Sequence, residues 1–204
     1  GISFEDFRAL DLIGTQNDSA EAIYNPEKYL LYCDPFMGQF DNRVKSGDAA
    51  GYADCAARLA VYADHAEYGY LFRSLRALCA FLSVKADLGI RTRAAYLSGD
   101  KKAAKALCTD YDAALERLDA FYAAYEQWMH ENKPQGFDVV DLRIGGQRQR
   151  LLHCRDRLLA YAEGRLDRIE ELEEPVLDCC CEEKADGQAT RAIFWHEIAS
   201  ANVI

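Results

Sequence analysis

The stretch KKAAKALCTDYDAALERLDAFYAAYEQWMHE, residues 101–131, decides the fold of this chain. Apolar residues recur along it at alternating spacings of three and four, namely Ala104, Leu107, Tyr111, Ala114, Leu118, Phe121, Tyr125 and Trp128. Such spacing places all of these side chains on one stripe of an α-helix. The pattern predicts one long helix that packs at a shallow crossing angle against its neighbours.

Helical patterns also dominate on both sides of this stretch. The sequence predicts a helix over about 48–65, a second over about 68–97 with a seam at Leu71, Leu75, Leu78 and Leu82, and a fourth over about 147–164. Gly145-Gly146 weakens the pattern before the fourth helix, so we expect a kink or a tight turn there. The predicted fold class is all-α: an antiparallel bundle of about four long helices with short helical or extended segments at both ends.

Shorter signals mark the two ends of the chain. Residues 2–13 predict a short helix with Phe4, Phe7, Leu10 and Ile13 on one face. Asn25-Pro26 favours a helix start, and Cys33-Asp-Pro35 ends that helix because the residue before a proline avoids helical geometry. The apolar C-terminus, from Ile193 to Ile204, is expected to dock onto the bundle.

Composition excludes several classes of function. The chain has a net charge of −10 and a pI near 4.9, which argues against nucleic acid or an anionic membrane as a partner. No apolar run is long enough to cross a bilayer. Gly1-Ile-Ser-Phe-Glu-Asp-Phe7 lacks the pattern of a secretion signal and an initiator Met, so we expect the chain to begin inside a longer coding sequence. Eight scattered cysteines favour a reducing compartment, hence a cytoplasmic location.

Residues that could carry chemistry are few. Cys179-Cys-Cys181 is either a thiol-rich turn or, less favourably, part of a zinc site, because adjacent cysteines poorly fit one tetrahedral ion. No histidine motif for metal binding occurs among His65, His130, His153 and His196. We therefore expect neither a metal nor a cofactor.

Charged and aromatic residues form two further groups. Arginines after residue 142 could form ion pairs with Glu170–Glu174, and Arg143, between Leu142 and Ile144, is expected to be partly buried with a structural or interface role. The aromatic residues around Asp34-Pro35 fit either a core or domain interface, or a position near a sugar ligand; they are Tyr29, Tyr32, Phe36 and Phe40.

Several segments together resemble a known family. The N-terminal segments SFEDFRALDL (3–12) and NPEKYLLYCDPFMGQFD (25–41) look like the region that follows the catalytic barrel in bacterial glycoside hydrolase family 20 β-N-acetylhexosaminidases. The segments RTRAAYLSGD (91–100), ENKPQG (131–136), DLRIGG (141–146) and WHEIASANVI (195–204) resemble the C-terminal helical domain of the same subgroup. Residues 179–187 have no counterpart in this resemblance.

The resemblance implies a parent enzyme that removes terminal N-acetylglucosamine or N-acetylgalactosamine. That family uses a barrel with an adjacent Asp-Glu pair, and the acetamido oxygen of the substrate is the nucleophile. No Asp-Glu dipeptide occurs in the 204 residues, and the chain lacks the alternation of strands and helices of a barrel. We therefore expect no catalytic residue here. Residues 1–45 would follow the absent barrel and pack on a bundle formed by residues 46–204.

The resemblance also implies partners and candidate sites. The expected partners are the barrel of the same polypeptide and a second copy of the chain, since a heptad seam can pair across a two-fold axis. Residues expected near the substrate are Tyr32, Asp34, Phe36 and Asp41. Residues expected at an interface or in a structural role are Arg143, Tyr111, Leu118, Tyr125 and Trp128. Two alternatives remain open: a free-standing helical adaptor for a partner protein, and a thiol- or metal-dependent enzyme built on Cys179–Cys181.

Overall fold

The described part of the chain is helical throughout its regular secondary structure, which confirms the all-α prediction. A computed structural model describes residues 1–10, 13, 26–41, 44–132 and 137–176. The helices are α1 Phe4–Phe7, α2 Pro26–Tyr32, α3 Asp48–Leu59, α4 Gly69–Lys85, α5 Leu88–Leu97, α6 Lys101–Asn132, α7 Phe137–Ala162 and α8 Glu170–Glu173. The predictions for Cys179–Cys181, for His196 and for the apolar C-terminus concern residues outside the described ranges.

Helix α6 is the centre of the bundle, as its sequence predicts. It runs from Lys101 to Asn132 and packs against α4, α5 and α7, while α3 packs against α4. Its start is fixed by Gly99, whose φ is +69°, and by Asp100, whose carboxylate accepts the Ala103 N–H at 2.9 Å. Glycine suits the left-handed position and aspartate the N-cap, so the turn between α5 and α6 follows from sequence.

The prediction of one helix over residues 68–97 is wrong, because the helix ends at Lys85 and a second helix begins at Leu88. Asp87 occupies the N-cap position of α5 and accepts from Arg91 Nε at 2.9 Å. Helix α5 then brings Gly89 against Pro35, where an added Cβ would lie 2.9 Å from the Pro35 carbonyl oxygen. Long-range packing, which the leucine spacing does not report, therefore determines where α4 ends.

The expected break at Gly145-Gly146 is also absent. Helix α7 continues through both residues from Phe137 to Ala162. Within the part of the chain that the structure describes, a Cβ added at either glycine would meet nothing within 4 Å, so neither glycine serves a close approach to those residues. Each glycine costs a helix only about 1 kcal/mol, which the packing of α7 against α6 offsets.

The N-terminal helix is shorter than predicted and its orientation differs. Helix α1 covers only Phe4–Phe7, and α3 ends at Leu59 before a short 3₁₀ turn over Ala60–Tyr62. Ala9 and Leu10 are buried, but Phe4 is 69% exposed and Phe7 is 41% exposed. The apolar residues predicted to share one face therefore differ in burial, because Leu10 is buried and both phenylalanines lie at the surface.

The core is a single cluster that includes the N-terminal segments. Phe36 and Phe40, which follow α2, are buried together with Tyr52 of α3, Phe72 of α4 and Tyr111 of α6. Residues 26–41 are thus part of the bundle core. The packing of Phe36 and Phe40 in the core fixes the position of the loop between α2 and α3.

Candidate functional site

The candidate site is the loop formed by residues 33–41, which was singled out by its sequence. Asp34 organises it locally: its Oδ1 accepts the N–H of Phe36 at 2.8 Å and of Met37 at 3.1 Å. The Gly38 N–H donates to the Asp34 carbonyl at 2.9 Å, and Gly38 has a φ of +65°. An aspartate that accepts backbone N–H groups, with proline after it and a glycine at positive φ, is a turn built by its own residues.

The loop is closed on the inside by Gln39. Its Oε1 accepts the Asp34 N–H at 3.0 Å, and its side chain is buried. The Cys33 thiol lies 3.9 Å from the same oxygen and 3.9 Å from Asp41 Oδ1. Burial raises the pKa of Cys33 to about 11, so this thiol stays protonated at neutral pH and is not an activated nucleophile.

Lys85 of α4 connects this loop to the end of α2. It is only 3% exposed, and its Nζ donates to the carbonyl oxygens of Leu30 at 2.9 Å and Cys33 at 2.6 Å. Carbonyl groups at a helix C-terminus have no partner in their own helix and favour a cation. Burial lowers the pKa of Lys85, whereas Cys33, Asp34 and Asp41 oppose that shift.

Arg93 of α5 holds the loop from a second side. Its Nη2 donates to the Phe36 carbonyl, and its Nη1 donates to the carbonyls of Leu172 at 2.8 Å and Glu174 at 3.1 Å. One guanidinium therefore joins the loop to the segment around α8. Its fixed fork geometry suits such multiple contacts.

Arg150 of α7 holds the loop from a third side. It forms a bidentate pair with Asp34, in which Nη2 lies 3.2 Å from Oδ1 and Nε contacts Oδ2. The same Nη2 lies 3.2 Å from Glu171 Oε1, and the guanidinium carbon lies 5.6 Å from the centre of the Phe36 ring. The predicted pairing of these arginines with the acidic segment is confirmed for Arg150 with Glu171 and for Arg157 with Glu170 and Glu171. The pairing of Arg150 with Asp34 was not predicted, because no sequence signal links residues so far apart.

The two carboxylates of the loop have different surroundings. Asp34 accepts from two backbone N–H groups and from Arg150, and it is buried. Asp41 is half-buried, and burial raises its pKa while Lys85 and Arg93 oppose the rise. Asp34 is thus held by donors from its own loop and from α7, whereas burial has the larger effect on Asp41. Among the described residues, no group of three His, Cys, Asp or Glu side chains could hold a metal ion.

Of the four residues expected near the substrate, two are interior. Phe36 is fully buried and Asp34 is bound to Arg150, so both support the loop from inside. Tyr32 and Asp41 keep part of their surface. Burial raises the pKa of Tyr32, and the charge of Arg143 opposes that rise.

The residues expected at an interface also divide into two groups. Tyr111 and Leu118 are fully buried, and the Tyr111 hydroxyl lies 3.1 Å from Thr92 Oγ1. Of the two roles expected for these residues, burial inside the domain favours the structural one, because this part of the α6 seam packs within the chain. Arg143, Tyr125 and Trp128 are half-buried, and the Tyr125 and Trp128 rings stack with centroids 5.2 Å apart.

A polar recess of about 430 Å³ at the start of α4 was not predicted. Its lining includes Asp64, His65, Glu67, Arg73 and Gln127. Arg73 bridges its walls, because Nη1 donates to the Ala63 carbonyl at 2.6 Å and Nη2 to Gln127 Oε1 at 3.2 Å. The guanidinium is thereby used in holding α4 against α6.

Comparison with known proteins identifies the domain. No curated protein gives a significant match to the chain. A family model described as the Glycoside Hydrolase 20C C-terminal domain matches residues 3–191. The match covers most of the chain, including the 33–41 loop and all three side chains that hold it. The chain therefore belongs to the family of glycoside hydrolase 20C C-terminal domains.

Proposed function

We propose that this chain is the non-catalytic accessory domain of a family 20 exo-β-N-acetylhexosaminidase that removes terminal N-acetylglucosamine or N-acetylgalactosamine. One observation carries the proposal: the family match over residues 3–191 coincides with a sequence that contains no Asp-Glu dipeptide. The adjacent carboxylates that the resemblance implies would then lie in a barrel of the same polypeptide, with this bundle supporting it.

The geometry of the 33–41 loop supports a structural role. Lys85, Arg93 and Arg150 approach the loop from three helices and use their donors on its backbone carbonyls and on Asp34. A general acid must be free to transfer a proton to a bound substrate. Asp34 is instead held by an arginine that remains charged at all relevant pH values.

The test compares this chain with the polypeptide that contains it, using p-nitrophenyl N-acetylglucosaminide as substrate. We expect hydrolysis by the longer polypeptide and none by residues 1–204 alone. Substitution of either member of the Asp-Glu pair in the barrel should abolish activity, whereas Asp41→Asn should leave kcat within about two-fold, since general acid–base catalysis contributes far more. Hydrolysis by residues 1–204 alone would contradict the proposal.

Tyr32 and Asp41 are the two residues that we propose to lie near the substrate. These two residues keep exposed surface beside a loop that is otherwise held rigidly. If they help to wall the active site of the same or a neighbouring subunit, Tyr32→Ala should raise KM with little change in kcat. Tyr68→Ala, which removes an exposed tyrosine before α4, is the matched control. Equal KM values for both variants would remove the idea.

A role in dimerisation is proposed for the half-buried group Tyr125, Trp128 and Arg143. Tryptophan, tyrosine and arginine are the side chains most enriched where interfaces derive their affinity. In the full polypeptide, Trp128→Ser should convert a dimer into a monomer by light scattering, while Leu97→Ser on α5 should not. A monomeric wild-type polypeptide at high concentration would contradict this role.

A further inference from the structure

The outward face of α1 carries the inference. A short amphipathic helix normally buries its apolar residues, yet α1 leaves Phe4 69% exposed and Phe7 41% exposed. Val61, in the adjacent 3₁₀ turn, is 75% exposed. Single exposed apolar residues are common on surfaces, but aromatic residues grouped together usually mark a contact. We call Phe4, Phe7 and Val61 the α1 patch.

Polar contacts set the orientation of α1. Asp6 Oδ2 accepts from the Tyr62 hydroxyl at 2.7 Å, and Asp6 Oδ1 accepts from Arg58 at 2.5 and 3.1 Å. The Ser3 hydroxyl accepts the Asp6 N–H at 3.4 Å and so caps the helix. A helix this short has little stability of its own. Its position therefore comes from these contacts, which attach its polar side to α3 and the 3₁₀ turn.

The apolar side of α1 packs on an aromatic residue of α4. The edge of the Phe7 ring meets Phe72 with centroids 6.3 Å apart, and Tyr62 packs on Phe72 at 4.9 Å. The guanidinium carbon of Arg8 lies 5.9 Å from the centre of the Phe4 ring. The α1 patch is thus a fixed surface whose outer layer consists of aromatic rings.

We propose that the α1 patch is the surface onto which the catalytic domain of the same polypeptide docks. This inference rests on the proposed function, since a C-terminal domain follows the rest of its enzyme. Phe4 lies three residues from Gly1, and three extended residues span only about 10 Å. A catalytic domain that precedes Gly1 would therefore join the bundle beside the patch, and its covalent attachment would raise its effective concentration at this surface.

A second copy of this chain fits the patch less well. A second copy would reach the patch only at the concentration of free chains in solution. Binding between copies also lacks the covalent connection that brings the preceding domain to α1. The ordinary interface between domains of one chain is of moderate size, which two phenylalanines and a valine can centre.

The experiment uses the full polypeptide with Phe4→Ser and Phe7→Ser together, and differential scanning calorimetry as the readout. We expect wild type to unfold with the two domains coupled, and the variant to show the helical domain melting separately, roughly 4 °C or more lower. Hydrogen exchange of residues 1–10 should increase in the variant while that of α6 stays unchanged. Leu97→Ser, which alters an exposed leucine far from α1 in sequence, should behave as wild type.

Three results would overturn the inference. The first is calorimetry of the variant that matches the Leu97→Ser control. The second is loss of an oligomer, seen by light scattering, while the two domains stay coupled, which would assign the patch to a second copy. The third is unchanged protection of residues 1–10, which would mean that the chain's own residues cover the patch. If the double variant does not fold, Phe4→Ala alone removes a ring that is 69% exposed and should leave the fold intact, and the same calorimetric separation is expected.

The proposed function fails separately from this inference. A wild-type polypeptide without hexosaminidase activity would reject the proposed function, whatever the calorimetry shows. An active wild-type enzyme whose domains respond equally to the patch variant and to the control would reject only the docking surface.

Discussion

Helix α6 and the 33–41 loop both lie in the core of the domain, but different interactions hold them. The apolar stripe of α6 packs against three neighbouring helices, and its burial follows from its own periodic sequence. The loop is irregular, and charged side chains from α4, α5 and α7 hold its backbone. The domain thus contains an apolar seam, which follows from a periodic sequence, and a polar site, which depends on particular charged residues from three helices. Each of the following substitutions tests one side of that contrast.

Leu118→Ala, in the middle of the α6 stripe, should have the largest effect. Leu118 is fully buried, so the loss of its side chain leaves a cavity and should lower the free energy of unfolding by about 4 kcal/mol. Urea denaturation followed by circular dichroism measures this change. Leu97→Ala, at an exposed leucine, should stay within about 0.5 kcal/mol of wild type. A loss under about 1 kcal/mol at Leu118 would mean that neighbouring helices close the cavity.

Lys85→Met should lower the free energy of unfolding by about 3 kcal/mol, because methionine fills a similar space but leaves the Leu30 and Cys33 carbonyls without their donor. The opposing effect is the cost of burying an ammonium group, which this substitution removes. The same urea titration decides between them. Lys102→Met, on the exposed side of α6, is the matched control. A variant more stable than wild type would show that desolvation outweighs the two hydrogen bonds.

The fold was predictable where stability comes from local pattern. The spacing of apolar residues in α6 repeats within a few residues, so periodicity alone gave its bounds to within one residue. Asp34-Pro35 and Gly38 likewise specify their turn through neighbours in sequence. Such features need no knowledge of what lies across the domain.

The remaining features depend on contacts between distant residues. Lys85 binds a loop that precedes it by more than fifty residues, and Arg150 pairs with Asp34 across a separation of 116 residues. A heptad pattern states that α6 is buried on one side but not whether the partner is this chain or another copy. The burial of Tyr111 and Leu118 inside the domain answers that for these two residues.

Gly89→Ala sharpens the comparison at the level of one methyl group. The added Cβ would lie 2.9 Å from the Pro35 carbonyl oxygen and 3.2 Å from its Cα, both backbone atoms that cannot move without shifting the loop. We expect a loss of about 2 kcal/mol in urea denaturation. Gly145→Ala is the matched control, since its Cβ would enter open space on α7 and should stabilise by about 1 kcal/mol. Equal changes at both glycines would mean that helix propensity, and not the fit against Pro35, dominates.

Asp41→Asn tests the electrostatics of the loop through pH and should have the smallest effect. Burial raises the pKa of Asp41 above its usual value of 3.8, so the folded state binds this proton more tightly than the unfolded state does. The stability that the protonated group contributes is therefore lost as the pH rises through its raised pKa. Asparagine does not titrate. The free energy of unfolding of the variant, relative to that of wild type, should therefore increase from low pH toward neutral pH.

The control for that pH series is Asp34→Asn, which should lose stability at neutral pH because Arg150 and two backbone N–H groups lose their carboxylate partner. Opposite signs for the two variants would show that two carboxylates of one loop act differently: one binds an arginine, and the other is mainly desolvated. Lys85 and Arg93 attract the charge of Asp41 and oppose its burial. A loss of stability in Asp41→Asn at neutral pH would mean that this attraction is the larger effect, and that both carboxylates serve as anions that hold the loop in place.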